Sequence, residues 1–237
     1  MKDQDSQNYL QQTLLAPVGR KSFLKYTALS GAAVAFGLGS CKRGGPIPSH
    51  TIDVGSGDIG ILNFAYALEQ LEAAFYIQVN TSFYKNITSE EKQILQDIMY
   101  HEITHRDFFK AALGSSAIPT LKTDFSAIDF TSRSSVLSSA KEFEDTGVSA
   151  YNGAGQYIQS ADYLTVAGKI VSVEARHASA IRDLLNPLSA DFASDDVVNP
   201  TTGLDFSRTP NSTTGGPSIV ATANMFLLTK ISANKLP

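Results

Sequence analysis

The chain has 237 residues, 43% of them hydrophobic and 18% charged, with a formal net charge of −4. That balance excludes an intrinsically disordered chain and is enough to bury a core. No basic run occurs beyond the N-terminal region, which argues against nucleic acid as a partner, and the single cysteine, Cys41, excludes an intrachain disulfide and an all-cysteine metal site.

Residues 1–19 are polar and unpatterned. The stretch "GRKSFLKYTALSGAAVAFGLGSCKRGG" then sets Arg20, Lys21 and Lys25 before an apolar run over 28–38. A bilayer span needs roughly 20 apolar residues, so this run is too short for one. A basic start, a short apolar centre and small residues at its end describe an export signal over 1–40. "RKSFLK" resembles the twin-arginine export signal, with Lys21 in place of the second arginine. "LGSC" resembles the lipobox of bacterial lipoproteins. That resemblance implies loss of residues 1–40, lipidation of Cys41 and attachment to the membrane in the bacterial cell envelope, periplasmic or at the surface. "KRGGPIPSHTIDVGSGD" is rich in Gly, Pro and Ser and carries His50, so 41–57 reads as a flexible tether.

From Asp58 the texture becomes helical. "DIGILNFAYALEQLEAAFYIQVNTSFY" has apolar residues at 62, 65, 66, 68, 71 and 75, covering much of the circumference, as in a bundle helix. "ITSEEKQ" opens a second helix with a capping box, Thr88 and Glu91, and Gly114 stops it after Leu113. A third helix is predicted over about Ser134 to Gly155 and a fourth from near Ser160, ended by Pro187. Residues 188–216 read as a long surface loop, and "PSIVATANMFLLTKIS" as a short last helix packed across one end. Strand signals are poor throughout. The expectation is an all-α protein, a four-helix bundle with an additional short C-terminal helix, over 58–237.

Within this frame one pattern recurs. "YHEITHRDFF" puts Glu102 and His105 three residues apart, and "SVEARHASA" does the same with Glu174 and His177. That spacing places each pair on one helix face. Carboxylates and imidazoles suit iron and manganese, and a di-iron bundle needs a Glu from each of two helices and Glu-x-x-His from each of the other two. The first helix offers Glu69 and Glu72; the third offers Glu142, Glu144 and Asp145. Tyr76 follows Glu69 by seven residues and Tyr151 follows Glu144 by seven, two turns in each case. Glu69 to Glu102 spans 33 residues and Glu144 to Glu174 spans 30, so two helical hairpins repeat one order of residues.

These features resemble the ferritin-like superfamily of di-iron carboxylate proteins. More narrowly, "ILNFAYALEQLEAAFY" and "FEDTGVSAYNGA" resemble the bacterial ferritin-like domain family that is related to desiccation-related proteins. The resemblance implies six metal ligands: Glu69, Glu102, His105, Glu144, Glu174 and His177. It also implies Tyr76 and Tyr151 as partners that steady the carboxylates. Glu72 lies on nearly the same face as Glu69; the interval to Tyr76 favours Glu69 as ligand and makes Glu72 a neighbouring carboxylate at the site. Glu142 is rotated away and reads as solvated, and His101 reads as a surface residue facing elsewhere.

The expected cofactor is two iron ions, alternatively manganese. The expected chemistry is peroxide- or oxygen-linked redox turnover, or Fe(II) oxidation, with the small oxidant or Fe(II) as substrate. A single cysteine cannot supply the cysteine pairs of a built-in rubredoxin module, which argues against one. A lipid anchor fits poorly with an iron-storage shell, although an oligomer is compatible with the sequence. The competing expectation is a metal-free structural or stress-protective bundle whose inward Glu and His pair with one another. Binding at the envelope through the 188–216 loop is a third.

Overall fold

A computed structural model describes residues 51–213 and 216–237. The export signal, Cys41 and His50 lie outside the described residues. The bundle consists of α1 (Gly57–Thr81), α2 (Ser89–Leu113), α3 (Arg133–Gly155) and α4 (Ala161–Leu185), followed by a short α5 (Ile219–Met225). It is an all-α bundle with an extra C-terminal helix, as the helical periodicity predicts. α1 packs chiefly on α2 and α3 on α4, while α1 against α3 and α2 against α4 close the bundle. Among the described residues no helix is long and apolar enough to cross a membrane.

The helix boundaries follow local chemistry. Thr88 and Glu91 form the predicted capping box, Thr88 Oγ1 accepting from Glu91 N at 3.1 Å and Glu91 Oε2 from Thr88 N at 3.1 Å. α2 ends at Gly114, whose φ of +53° is a conformation that glycine adopts without a Cβ clash. Ser132 and Ser160 cap α3 and α4 through their side chains. Asp58, in the first turn of α1, accepts from the backbone N–H of Gln159 and Ser160 at 2.8 and 2.9 Å, which ties the α3–α4 turn to the start of α1.

α1 is the most enclosed helix, and its buried residues include Asn63 and Gln70 as well as apolar ones. Both amides have work inside the core. Asn63 accepts from Ile118 N at 2.9 Å and donates to Ser116 O at 2.9 Å, and Gln70 accepts from Leu121 N at 2.8 Å. The α2–α3 connection is thus clipped across α1, which satisfies Asn63 and the Gln70 oxygen, while Gln70 Nε2 keeps no hydrogen bond. Phe75, Phe125, Phe143 and Phe226 pack edge-on or tilted at one end of the bundle, with Phe143 and Phe226 centroids 4.8 Å apart.

Two expectations are corrected. Ile52–Asp53, assigned by composition to the tether, form a strand β1 that pairs in parallel with β2 (Ile231–Ser232), and Val54 is buried in the core. A two-residue strand is too short to show a period-2 pattern, so the sequence carries no signal for it. The last helix is also shorter than "PSIVATANMFLLTKIS" suggests. Asn224 accepts from Ile231 N at 2.8 Å and donates to Ile231 O at 2.9 Å, and Lys230 Nζ bonds the carbonyls of Asn224 and Leu227. Lys230 thus satisfies a carbonyl of the final turn, and the Asn224 side chain ties the helix end to β2. Residues 188–213 are anchored rather than merely draped. Arg182, 3% exposed, binds Asp145 and Asp196 with its guanidinium and reaches Ser194 Oγ and the Asp191 carbonyl.

Candidate metal centre

Each of the four long helices turns a carboxylate to the bundle axis, and α1 turns a second, Glu72. Glu69, Glu102, Glu144 and Glu174 are all 0% exposed, and His177 and Glu72 are almost as deeply buried. The Glu-x-x-His spacing puts His105 beside Glu102 and His177 beside Glu174, one helical turn apart on the inward stripe.

The arrangement has near two-fold symmetry. His105 Nδ1 lies 2.7 Å from Glu174 Oε1, 3.5 Å from Glu69 Oε2 and 3.7 Å from Glu102 Oε2. His177 Nδ1 lies 2.7 Å from Glu102 Oε1, 3.5 Å from Glu144 Oε2 and 3.8 Å from Glu174 Oε2. Each imidazole therefore approaches most closely the carboxylate of the opposite hairpin. The tyrosines cross as well: Tyr76 of α1 donates to Glu144 Oε1 of α3, and Tyr151 of α3 donates to Glu69 Oε1 of α1. Both tyrosines sit on the stripe that the seven-residue interval predicts, yet each steadies the other hairpin's carboxylate.

The remaining atoms sort themselves by role. Glu69 and Glu144 each keep one oxygen, Oε2, without a hydrogen bond, since a tyrosine holds the other. Glu102 and Glu174 keep both oxygens without one, and so do the inward Nδ1 atoms of His105 and His177. The short nitrogen–oxygen approaches lack hydrogen-bond angles, so these atoms converge on common points and do not pair along donor axes. They fall into two groups, Glu69, Glu102, His105 and Glu174, and Glu102, Glu144, Glu174 and His177, with ligand atoms in each group within 4.8 Å of one another. Glu102 and Glu174 belong to both. Two singly available carboxylates, two doubly available shared ones and two imidazoles form a donor set suited to a pair of bridged cations.

The electrostatics point the same way. Burial and the neighbouring negative charges push Glu102 and Glu72 well above the usual carboxylate range, and burial first, with Glu174 next, raises Glu69. Burial raises Glu144 to about 7 despite His177. Burial would depress both imidazoles, but the carboxylates around them outweigh it and push His105 and His177 up to about 12. Burial acts to raise Glu174 too, and the two imidazoles overcome it and hold it at about 2. Five buried carboxyl groups face two imidazoles, so the pocket is short of positive charge.

Glu72 lies at the centre but outside both four-residue groups. A Cβ on Gly147 would come within 2.9 Å of Glu72 Oε1, so the carboxyl of α1 fills space that a side chain on α3 would take. Glu142 is exposed, as its rotation predicts. His101 corrects the sequence reading. Its Nδ1 lies 2.8 Å from His177 Nε2, and the two rings are nearly coplanar, at 18°, with centroids 5.1 Å apart. The overlooked signal is its spacing of four residues from His105, which keeps it beside the ligand stripe.

A family model described as "Ferritin-like domain" matches residues 57–187, over half of the chain, and spans all four bundle helices. No curated protein matches the chain.

Proposed function

Because this chain belongs to the ferritin-like domain family, we propose that its bundle holds two iron ions, alternatively manganese, for redox chemistry with peroxide or oxygen or for Fe(II) oxidation. The observation that carries the reading is the division of the carboxylates. Glu69 and Glu144 have one oxygen spoken for by a tyrosine, whereas Glu102 and Glu174 have both free and both shared. Glu69 with His105 and Glu144 with His177 would each hold one ion, and Glu102 and Glu174 would lie between them.

A bound redox-active pair of ions supplies the electrons for reducing peroxide or oxygen. The chain's own residues do the rest. Tyr76 and Tyr151 fix the orientation of Glu144 and Glu69 from across the bundle. Leu68, Leu71, Phe75 and Phe143, all nearly fully buried, belong to the core that keeps bulk water from the bundle interior. Burial first, and then four neighbouring carboxylates, push Glu72 well above the usual carboxylate range, beside the two groups of inward ligand atoms. The export-signal pattern and the lipobox at Cys41 support placement in the bacterial cell envelope, attached to the membrane.

A second reading has its own support. The 2.7 Å approaches of His105 to Glu174 and of His177 to Glu102 are what a metal-free, stress-protective bundle with internally paired groups would show. The excess of buried carboxyls over imidazoles favours the metal reading. Elemental analysis of the purified chain decides: the expected result is about two Fe or Mn per chain. Absence of both metals, together with unchanged stability in Glu102→Ala and His177→Ala, would overturn the metal reading.

A further inference from the structure

The two halves of the centre match in ligand geometry and differ one residue outside it. His177 turns Nδ1 inward, where it approaches Glu102, Glu144 and Glu174. For that nitrogen to offer its lone pair to a cation, the ring proton must sit on Nε2. Nε2 is the atom 2.8 Å from His101 Nδ1, so His177 donates and His101 accepts. The two rings meet edge to edge and nearly coplanar, at 18°, as this hydrogen bond requires, and His101 itself is exposed.

His101 directly precedes Glu102. The matching place in α4, directly before Glu174, is Val173, whose side chain has no hydrogen-bonding group. The fold therefore gives His177 an imidazole partner on its outer nitrogen, and the position that would give one to His105 is apolar. A hydrogen-bond acceptor behind a ligating imidazole fixes its tautomer and plane and strengthens its donor nitrogen.

We propose that His101 is a positioning residue that makes the two cation positions unequal. The position built from Glu102, Glu144, Glu174 and His177 binds a divalent cation more tightly than the one built from Glu69, Glu102, His105 and Glu174. This rests on the metal reading above, and its test separates the two. The metal-free full chain is titrated anaerobically with Co(II), followed by visible absorption and calorimetry. The wild type shows two resolved steps. In His101→Ala the tighter step weakens about tenfold or more while the weaker one is unchanged. His101→Asn, whose Oδ1 accepts where Nδ1 did, restores most of the loss. Melting of the metal-free His101→Ala protein stays at the wild-type temperature, because the side chain is exposed; a role in packing alone would move the melting and spare the Co(II) step. A single unresolved step in the wild type, equal weakening of both steps, or no change in His101→Ala overturns the proposal and leaves the metal reading standing. A wild type that takes up no Co(II) overturns the metal reading itself.

Discussion

The α1–α2 and α3–α4 hairpins deliver the same residues to the bundle axis from different surroundings. Glu69 and Tyr76 correspond to Glu144 and Tyr151, and Glu102 and His105 to Glu174 and His177, with distances that agree within 0.1 Å. Outside that set the correspondence fails at many positions, three of them informative. Glu72 in α1 faces Gly147 in α3, His101 in α2 matches Val173 in α4, and exposed Lys110 in α2 matches buried Arg182 in α4. The inward atoms of the two hairpins match at each position of the two four-residue groups. What stands behind those atoms does not match, and there the surroundings of the two hairpins differ.

The largest expected effect tests the symmetric part. Glu174→Gln removes a carboxylate shared by both groups and should empty both positions, whereas Glu69→Gln should empty one and leave its neighbour's ligands intact. Metal content of the purified variants decides, and equal retention in the two would show that Glu174 is not shared.

The next contrast is Arg182 against Lys110. Arg182→Ala leaves Asp145, already raised by burial, and Asp196 without their common cation. It should lower folding stability by roughly 3 kcal/mol, the low end for a broken buried pair because Asp196 is half exposed. Lys110→Ala should stay within about 0.5 kcal/mol of wild type. Denaturant midpoints at constant m-value read both, and comparable losses would mean that the 188–213 segment is not held by Arg182.

The smallest effects differ in sign. Gly147→Ala drives a methyl group to within 2.9 Å of Glu72 Oε1 in a packed core and should cost about 1 kcal/mol. Gly168→Ala, inside α4 with open space around its would-be Cβ, should stabilise by about 0.5–1 kcal/mol through the loss of unfolded-state freedom. A stabilising Gly147→Ala would show that Glu72 does not need the space that α3 leaves it.

Much of this molecule was legible before any coordinates. The 3.6-residue period located four helices, the Thr88–Glu91 capping box marked the start of α2, and the paired Glu-x-x-His spacings marked an inward stripe. Helix geometry relates residues three, four and seven apart without reference to the rest of the fold, so those inferences need only local sequence. The same logic placed Tyr76 and Tyr151 beside the carboxylates. It could not say that each bonds the carboxylate of the other hairpin, because that depends on how α1 meets α3.

What tertiary structure alone decided has the same physical origin. His101 became a partner of His177 only when α2 and α4 lay side by side, and Glu72 came to lie against Gly147 and outside both ligand groups. Ile52–Asp53 gained a strand partner nearly 180 residues away, and Arg182 gained Asp196 from a loop with no period to read. The sequence by itself determined which side chains share a helix face, since that follows from the rise and turn of a single helix. Which faces meet, and so which oxygen is left free and which nitrogen is backed by a neighbour, was decided by packing between helices.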